Sequence, residues 1–176
     1  MTDERQDPAG RAGPMRRTGL VLTVAAAVAA TVTGAPPALG ARFPGDLVLT
    51  TVHDGPFEAG GAGTFSIDVT ADPASAGIGY PTEVTYYFPA GLTPVRASGA
   101  GWRCRITAGS VGCETRDLAS PGFQLPRITV GVTVAGDATG TLTASGRAVE
   151  AVPAGTRPAT ATVASTVQIV PSTSAT

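Results

Sequence analysis

Apolar and polar residues alternate with a period of two along most of the chain after residue 45, and helical spacing is almost absent. The clearest case is the segment 64–70, Thr-Phe-Ser-Ile-Asp-Val-Thr, whose apolar residues would face inwards and whose polar residues, Asp68 included, would face solvent. Similar segments are separated by turns rich in Gly, Pro and Asp, and the predicted strands are Asp46–His53, Thr64–Thr70, Thr82–Phe88, Leu92–Ala97, Trp102–Ile106, Val111–Thr115, Arg127–Ala135, Thr141–Val149 and Ala159–Val170.

Short strands at this spacing predict an all-β fold, either a sandwich or a barrel of about eight strands. Pro94 lies inside Leu92–Ala97 and cannot donate a ladder hydrogen bond, so this segment is predicted to be an edge strand or a bend. No glycine-rich phosphate loop follows any of the strands, which argues against a nucleotide site.

The first 41 residues read as an export signal. Met15-Arg16-Arg17 is followed by an uncharged run whose apolar part, Gly19 to Ala30, has the length of a signal-peptide hydrophobic region and is short for a membrane span. Small residues before Ala41 offer a cleavage site. We therefore predict a signal peptide over residues 1–41, with 1–14 as a polar extension, a β domain over 42–170 and a flexible tail over 171–176.

Several features of this leader stay open at the level of sequence. Translation could start at Met1 or at Met15, and the paired arginines allow either general secretion or the twin-arginine route. An uncleaved anchor is the less favoured alternative, because Pro36-Pro37 and small residues interrupt the run. After cleavage no membrane span is expected, and secretion or display at the cell surface follows.

Cys104 and Cys113 are the only two cysteines, and they fall on two short predicted strands around Gly109-Ser110. An exported chain meets an oxidising compartment, so a structural disulfide across a hairpin is expected. A redox or nucleophilic pair is the alternative, but no feature that would favour a thiolate is evident.

Three residues are candidates for interaction. Trp102 either packs against the disulfide or stacks on a ligand, and packing is favoured. Tyr86 and Tyr87 are adjacent, so one faces outwards, and Tyr87 is taken as the exposed one. Arg105 lies inside the ring that the disulfide would close, where it could enter a protease cleft.

Composition excludes several function classes. Twelve arginines against 13 acidic residues give a net charge of −1, which excludes a strongly basic nucleic-acid binder. A single His and two Cys are too few for a His/Cys zinc site, and no cofactor is expected. His53-Asp54 are poor partners for catalysis because neighbours on a strand point to opposite faces, and Asp68, Asp72 and Glu83 are interpreted as solvated acids. Lys and Asn are absent, a bias that suggests a GC-rich, actinobacterial genome.

Four stretches together resemble a bacterial conserved repeat domain of unknown function, the eleventh to be catalogued. They are EAGGAGTFSIDV (58–69), FPAGLTPV (88–95), ASGAGWRC with VGC (97–104 and 111–113) and ITVGVTV (128–134). The resemblance implies an immunoglobulin-like antiparallel β-sandwich of about 7–8 strands, found in exported and often envelope-attached proteins. It implies no catalytic residues.

The sequence thus predicts a non-catalytic module of the cell envelope or extracellular space, with a structural or protein-binding role and an envelope or protein partner that it does not identify. Exposed sheet edges offer strand addition as one route of binding. The alternative is a secreted hydrolase or protease inhibitor that uses the Cys104–Cys113 loop. The oligomeric state is left open.

Overall fold

The computed structural model describes residues 46–172, and the predicted signal peptide over 1–41 lies outside this range. Within these residues the chain forms ten β-strands and no helix. They are β1 (Leu47–His53), β2 (Phe57–Glu58), β3 (Ala62–Ala71), β4 (Thr82–Tyr87), β5 (Leu92–Ser98), β6 (Arg103–Ile106), β7 (Ser110–Thr115), β8 (Ile128–Val134), β9 (Gly140–Glu150) and β10 (Thr160–Val170).

The strands form two sheets that pack face to face. The smaller sheet has the order β1-β3-β8-β5 and the larger sheet has the order β2-β10-β9-β4-β7-β6. All of the pairings are antiparallel except the short parallel contact of β2 with β10. Most of the apolar strand residues point towards the other sheet, so the core is a single layer between the sheets.

An aromatic cluster lies at the centre of this core. Phe65 on β3 has no exposed surface, and its ring centroid lies 5.5 Å from that of Phe57, 5.9 Å from Tyr86 and 5.4 Å from Phe88. Tyr86 belongs to the larger sheet, so its contact with Phe65 joins the two sheets. Edge-to-face and tilted pairs of this kind add to the stability gained from burial alone.

The predicted strands and the edge position of the Pro94 segment are confirmed. β5 is the outer strand of the smaller sheet, and its register with β8 is irregular between Pro94 and Arg96. A bulge and a proline at a sheet edge both discourage pairing with another chain. The nine predicted segments all correspond to strands, and the tenth strand is β2, which has two residues and which the sequence pattern does not predict.

The expectation that Asp68 is a solvated acid is wrong. Its side chain lies on the outer side of β3, as the alternation predicts, but the residue is only 9% exposed. The Arg127 guanidinium and the Gln124 amide cover it and donate hydrogen bonds to its carboxylate.

Candidate functional site on the outer face of the larger sheet

The outer face of strands β9, β4, β7 and β6 carries most of the exposed charge on the larger sheet. Alternation places Glu83, Thr85 and Tyr87 of β4 on this side, since Val84 and Tyr86 point into the core. We call this surface the charged face and define it by Pro81, Glu83, Thr85, Tyr87, Arg103, Arg105, Gly112, Glu114, Arg147 and Val149.

The strand register sorts these residues into two adjacent rows that run across the strands. One row contains both acids of the face, because Glu83 is paired with Glu114 across β4 and β7. Arg103 and Val149 stand at its two ends. We call it the acidic row.

The basic row lies two residues further along each strand. Thr85 is paired with Gly112 on one side and with Arg147 on the other, and Arg105 is paired with Gly112. Two arginines therefore flank a floor made of a threonine and a glycine.

The three arginines of this face form no ion pair with a carboxylate of the described residues. Between residues 46 and 172 the one ion pair is Arg127–Asp68, so no carboxylate oxygen lies within 4.0 Å of the guanidinium nitrogens of Arg103, Arg105 or Arg147. Glu83 and Glu114 stand directly opposite each other and form no ion pair among residues 46–172, although Arg103 is the strand neighbour of Glu114 on its other side. Like charges directly opposite each other destabilise a sheet, so the pairing of Glu83 with Glu114 does not contribute to the stability of the fold.

A shallow groove crosses the face above Gly112. It has a volume of about 530 Å³ and is lined by residues of both rows, among them Glu83, Thr85, Arg105 and Glu114. A Cβ added to Gly112 would meet nothing within 4 Å. The groove therefore has room for a side chain from another molecule.

The predicted disulfide is confirmed, and it fixes one side of the face. Cys104 and Cys113 are directly opposite each other on β6 and β7, with their Cα atoms 4.1 Å apart. At the turn that joins these strands, the Thr107 N–H donates to the Ser110 carbonyl at 2.9 Å. The bond and the turn hold β6 against β7, so the backbone that carries Arg103 and Arg105 is restrained at both ends.

Trp102 packs in the core and does not contribute to this face. The residue is 8% exposed, and its indole N–H donates to the carbonyl of Pro126. A Cβ on Gly99 would lie 2.7 Å from the indole ring and 2.7 Å from the Arg127 carbonyl. Packing, the favoured interpretation of Trp102, agrees with its burial under the preceding turn and Pro126, and the alternative of a ligand-stacking tryptophan gains no support.

The other two candidates are exposed on the charged face. Tyr87 is 55% exposed on β4, as expected. Arg105 is exposed as well, but it lies inside β6 and pairs with Gly112, while the tip of the hairpin is formed by residues 107–110. Its position gives no support to a protruding inhibitory loop.

The residues considered for catalysis are not brought together. His53 ends β1, and its two ring nitrogens lie 2.9 Å from the Gly55 carbonyl and 3.0 Å from the Thr166 carbonyl. Asp68 belongs to the smaller sheet and Glu83 to the larger one. Across residues 46–172 no three His, Cys, Asp or Glu side chains are grouped so that they could hold a metal ion. The same stretch contains no helix that is long and apolar enough to cross a membrane.

Comparison with known proteins identifies the fold. No protein-family model matches this sequence, and no curated protein matches it either. Among solved structures, a cohesin module from a Clostridium perfringens family 33 glycoside hydrolase is similar with a TM-score of 0.52 and 12% identity, over 74% of this chain and 99% of the module. The major pilin SpaD of Corynebacterium diphtheriae is similar with a TM-score of 0.50 and 10% identity, over 68% of this chain and 35% of the pilin.

These likenesses concern the fold alone, because the sequences have diverged far below the level at which function is shared. The predicted immunoglobulin-like antiparallel β-sandwich is confirmed. The resemblance to one particular repeat domain stays a prediction.

Proposed function

We propose that this chain is an exported, non-catalytic module of the cell envelope or extracellular space that binds a protein partner through the charged face. The observation that carries the proposal is the set of three exposed arginines, none of which has a carboxylate of residues 46–172 within 4.0 Å, beside the exposed ring of Tyr87. Arg and Tyr are enriched where proteins bind one another, because both combine a large contact area with directional hydrogen bonds.

Three features support export. The pattern of residues 1–41 is that of a signal peptide, and the chain closes a disulfide, which persists in oxidising compartments. The fold is shared with a major pilin and with a cohesin module. We therefore assign the domain to residues 42–170 and its location to the cell surface or the medium.

The resemblance to the bacterial repeat domain agrees with this role. The structure gives a physical reason for the glycines in one of the stretches that carry this resemblance, ASGAGWRC (97–104). The turn 98–102 lies tightly against neighbouring segments, since a Cβ on Gly101 would overlap the Asp117 carboxylate and the φ angle of Gly101 is +73°. Glycines in this motif are needed for packing. Nothing about the motif requires a catalytic residue.

A capture experiment tests the proposal. The purified protein, carrying a photo-crosslinker, is incubated with envelope and medium fractions of the source culture, alongside a double variant with Tyr87→Ala and Arg105→Ala. We expect the wild type to retain a specific protein and the double variant to lose it. Arg157→Ala removes an exposed arginine outside the charged face and serves as the control. Equal capture by all three proteins would show that the charged face is not the surface that binds the partner.

A further inference from the structure

We infer that the partner of the charged face is a second copy of this chain, which docks face to face across a two-fold axis. This inference rests on the proposed function and specifies its partner. The face carries an acidic row beside a basic row, so a complementary surface must carry the same two rows in the opposite order. A second copy turned by 180° presents that order without any further requirement.

The register locates the axis. It runs across the strands between the two rows, above the paired residues Cys104, Cys113, Val84 and Ala148. A rotation about this line brings position 83 of one copy over position 85 of the other, and position 114 over position 112. The strands of the two copies then run nearly antiparallel, which is compatible with aligned packing of sheets.

This arrangement gives each glutamate an arginine of the other copy. Glu114 is placed over Gly112 of the second copy, where a Cβ would meet nothing within 4 Å, and Arg105 is the neighbour of that glycine on β6. Glu83 is placed over Thr85 of the second copy, whose neighbour on β9 is Arg147. Symmetry doubles both contacts, so four ion pairs form between the copies.

The same rotation provides a contact for the exposed tyrosine. Tyr87 ends β4 and Pro81 directly precedes that strand, three positions on either side of the axis, so each Tyr87 ring is placed over Pro81 of the other copy. Both residues are exposed in the single chain. The rings would add apolar contact at the two ends of an otherwise polar interface.

The dimer is expected to be weak and sensitive to salt. From the usual spacing of strands and residues, four strands by seven residues cover about 450 Å² per copy, which is below the ~800 Å² of a standard interface. Arg103 of one copy is placed over Arg105 of the other, a like-charge contact on the outer strand where both side chains can turn into solvent. A weak interface of this kind forms where many copies are held close together, as on a cell surface.

Sedimentation velocity on protein purified from expression of the full chain tests the inference. At low ionic strength and at concentrations up to about 500 μM we expect a monomer–dimer equilibrium, with a dissociation constant that rises about tenfold or more in 0.5 M salt. Glu83→Arg and Arg147→Glu should each reduce dimerisation at least tenfold. The double variant E83R/R147E should restore it to within about threefold of the wild type, because each new arginine again faces a new glutamate.

Arg157→Glu changes the same charge outside the face and should leave the dimer intact, and circular dichroism checks that every variant is folded. A wild type that stays monomeric throughout, a dimer that survives both single substitutions, or a folded double variant without rescue would each overturn the inference. If the protein is monomeric while the capture of another protein still depends on Tyr87 and Arg105, the self-association fails and the proposed binding function stands.

Discussion

The Arg127 guanidinium donates two hydrogen bonds to the Asp68 carboxylate, from Nε to Oδ1 and from Nη2 to Oδ2, each 2.8 Å long. The Gln124 amide donates a third, also to Oδ1, at 2.7 Å. Asp68 lies in the middle of β3, whereas its two partners belong to the segment that leads into β8. This cluster therefore fastens the long connection 116–127 onto the outer side of the smaller sheet, and it raises the pKa of Arg127 through the hydrogen bonds and the charge of Asp68.

We expect Asp68→Ala to destabilise the domain by about 1.5–3 kcal/mol, because hydrogen bonds to a charged group are lost and the Gln124 amide is left without its acceptor. Arg127→Ala should cost less, since its guanidinium is half exposed and water can replace it. Equilibrium unfolding in urea measures both. A double variant that is no worse than Asp68→Ala alone would show that the two residues act together, whereas additive losses would contradict the cluster.

A second prediction concerns the glycine beneath an aromatic ring. Phe57 covers Gly63 on β3 so closely that an added Cβ would overlap the ring. Gly63→Ala is therefore expected to cost about 1–3 kcal/mol, since the ring must move out of its place beside Phe65. Gly136→Ala is the matched control, because its Cβ would meet nothing within 4 Å. Denaturant unfolding measures the free energy of unfolding of both variants. Equal values would contradict the prediction, because they would mean that the Phe57 ring shifts without cost.

Most of the strands could be predicted from sequence because both sheets have one face in the core and one outside, so that alternation is strong. The two residues of β2 are too short to alternate, and their pairing with β10 joins positions more than a hundred residues apart. For Asp68, alternation correctly gives the outer side of β3. Its burial depends on Arg127, which is 59 residues further along the chain, and no local pattern contains that information.

The sequence predicts only part of the candidate site, because local patterns do not contain the pairing of distant strands. Tyr87 and Arg105 could be selected individually, as an outward aromatic residue and as a charge within the disulfide ring. Their neighbours Glu114 and Arg147 could not, because a row across a sheet is defined by the register of four strands and no single segment shows it. The sequence leaves two interpretations of Trp102 open, because the Pro126 carbonyl that accepts its indole N–H lies 24 residues away.

A third prediction follows from the buried phenol of Tyr86. Burial raises its pKa above the ordinary value of 10.0, while hydrogen bonds with Thr51 and Ser165 act in the opposite direction. The unfolded chain therefore releases this proton at a lower pH than the folded one. The stability that the neutral phenol provides is fully present below pH 10 and is lost as the pH rises through the folded-state pKa, at about 1.4 kcal/mol per pH unit between the two pKa values.

Melting temperatures between pH 8.5 and 11.5 measure this loss. Tyr86→Phe should unfold with a shallower dependence on pH above 10, and near neutral pH it should lose little stability, because its 3.4 Å hydrogen bond to the Thr51 hydroxyl is long. Tyr87→Phe is the control, since that ring is 55% exposed. If the melting temperature falls equally with pH above 10 in all three proteins, the loss of stability comes from groups other than Tyr86.

The last prediction concerns the disulfide that holds β6 on β7. Cys104 and Cys113 are nine positions apart, and the chain-entropy estimate for a ring of this size is about 2.7 kcal/mol. We expect the double substitution of both cysteines by alanine to lower the free energy of unfolding by about this amount, and a reducing agent to produce a similar loss in the wild type but none in the double variant. Because β6 is an outer strand that pairs with β7 alone within residues 46–172, the loss should be accompanied by faster amide exchange at Arg103 and Arg105. Exchange that is unchanged there, measured by mass spectrometry, would mean that strand pairing suffices to hold this side of the charged face.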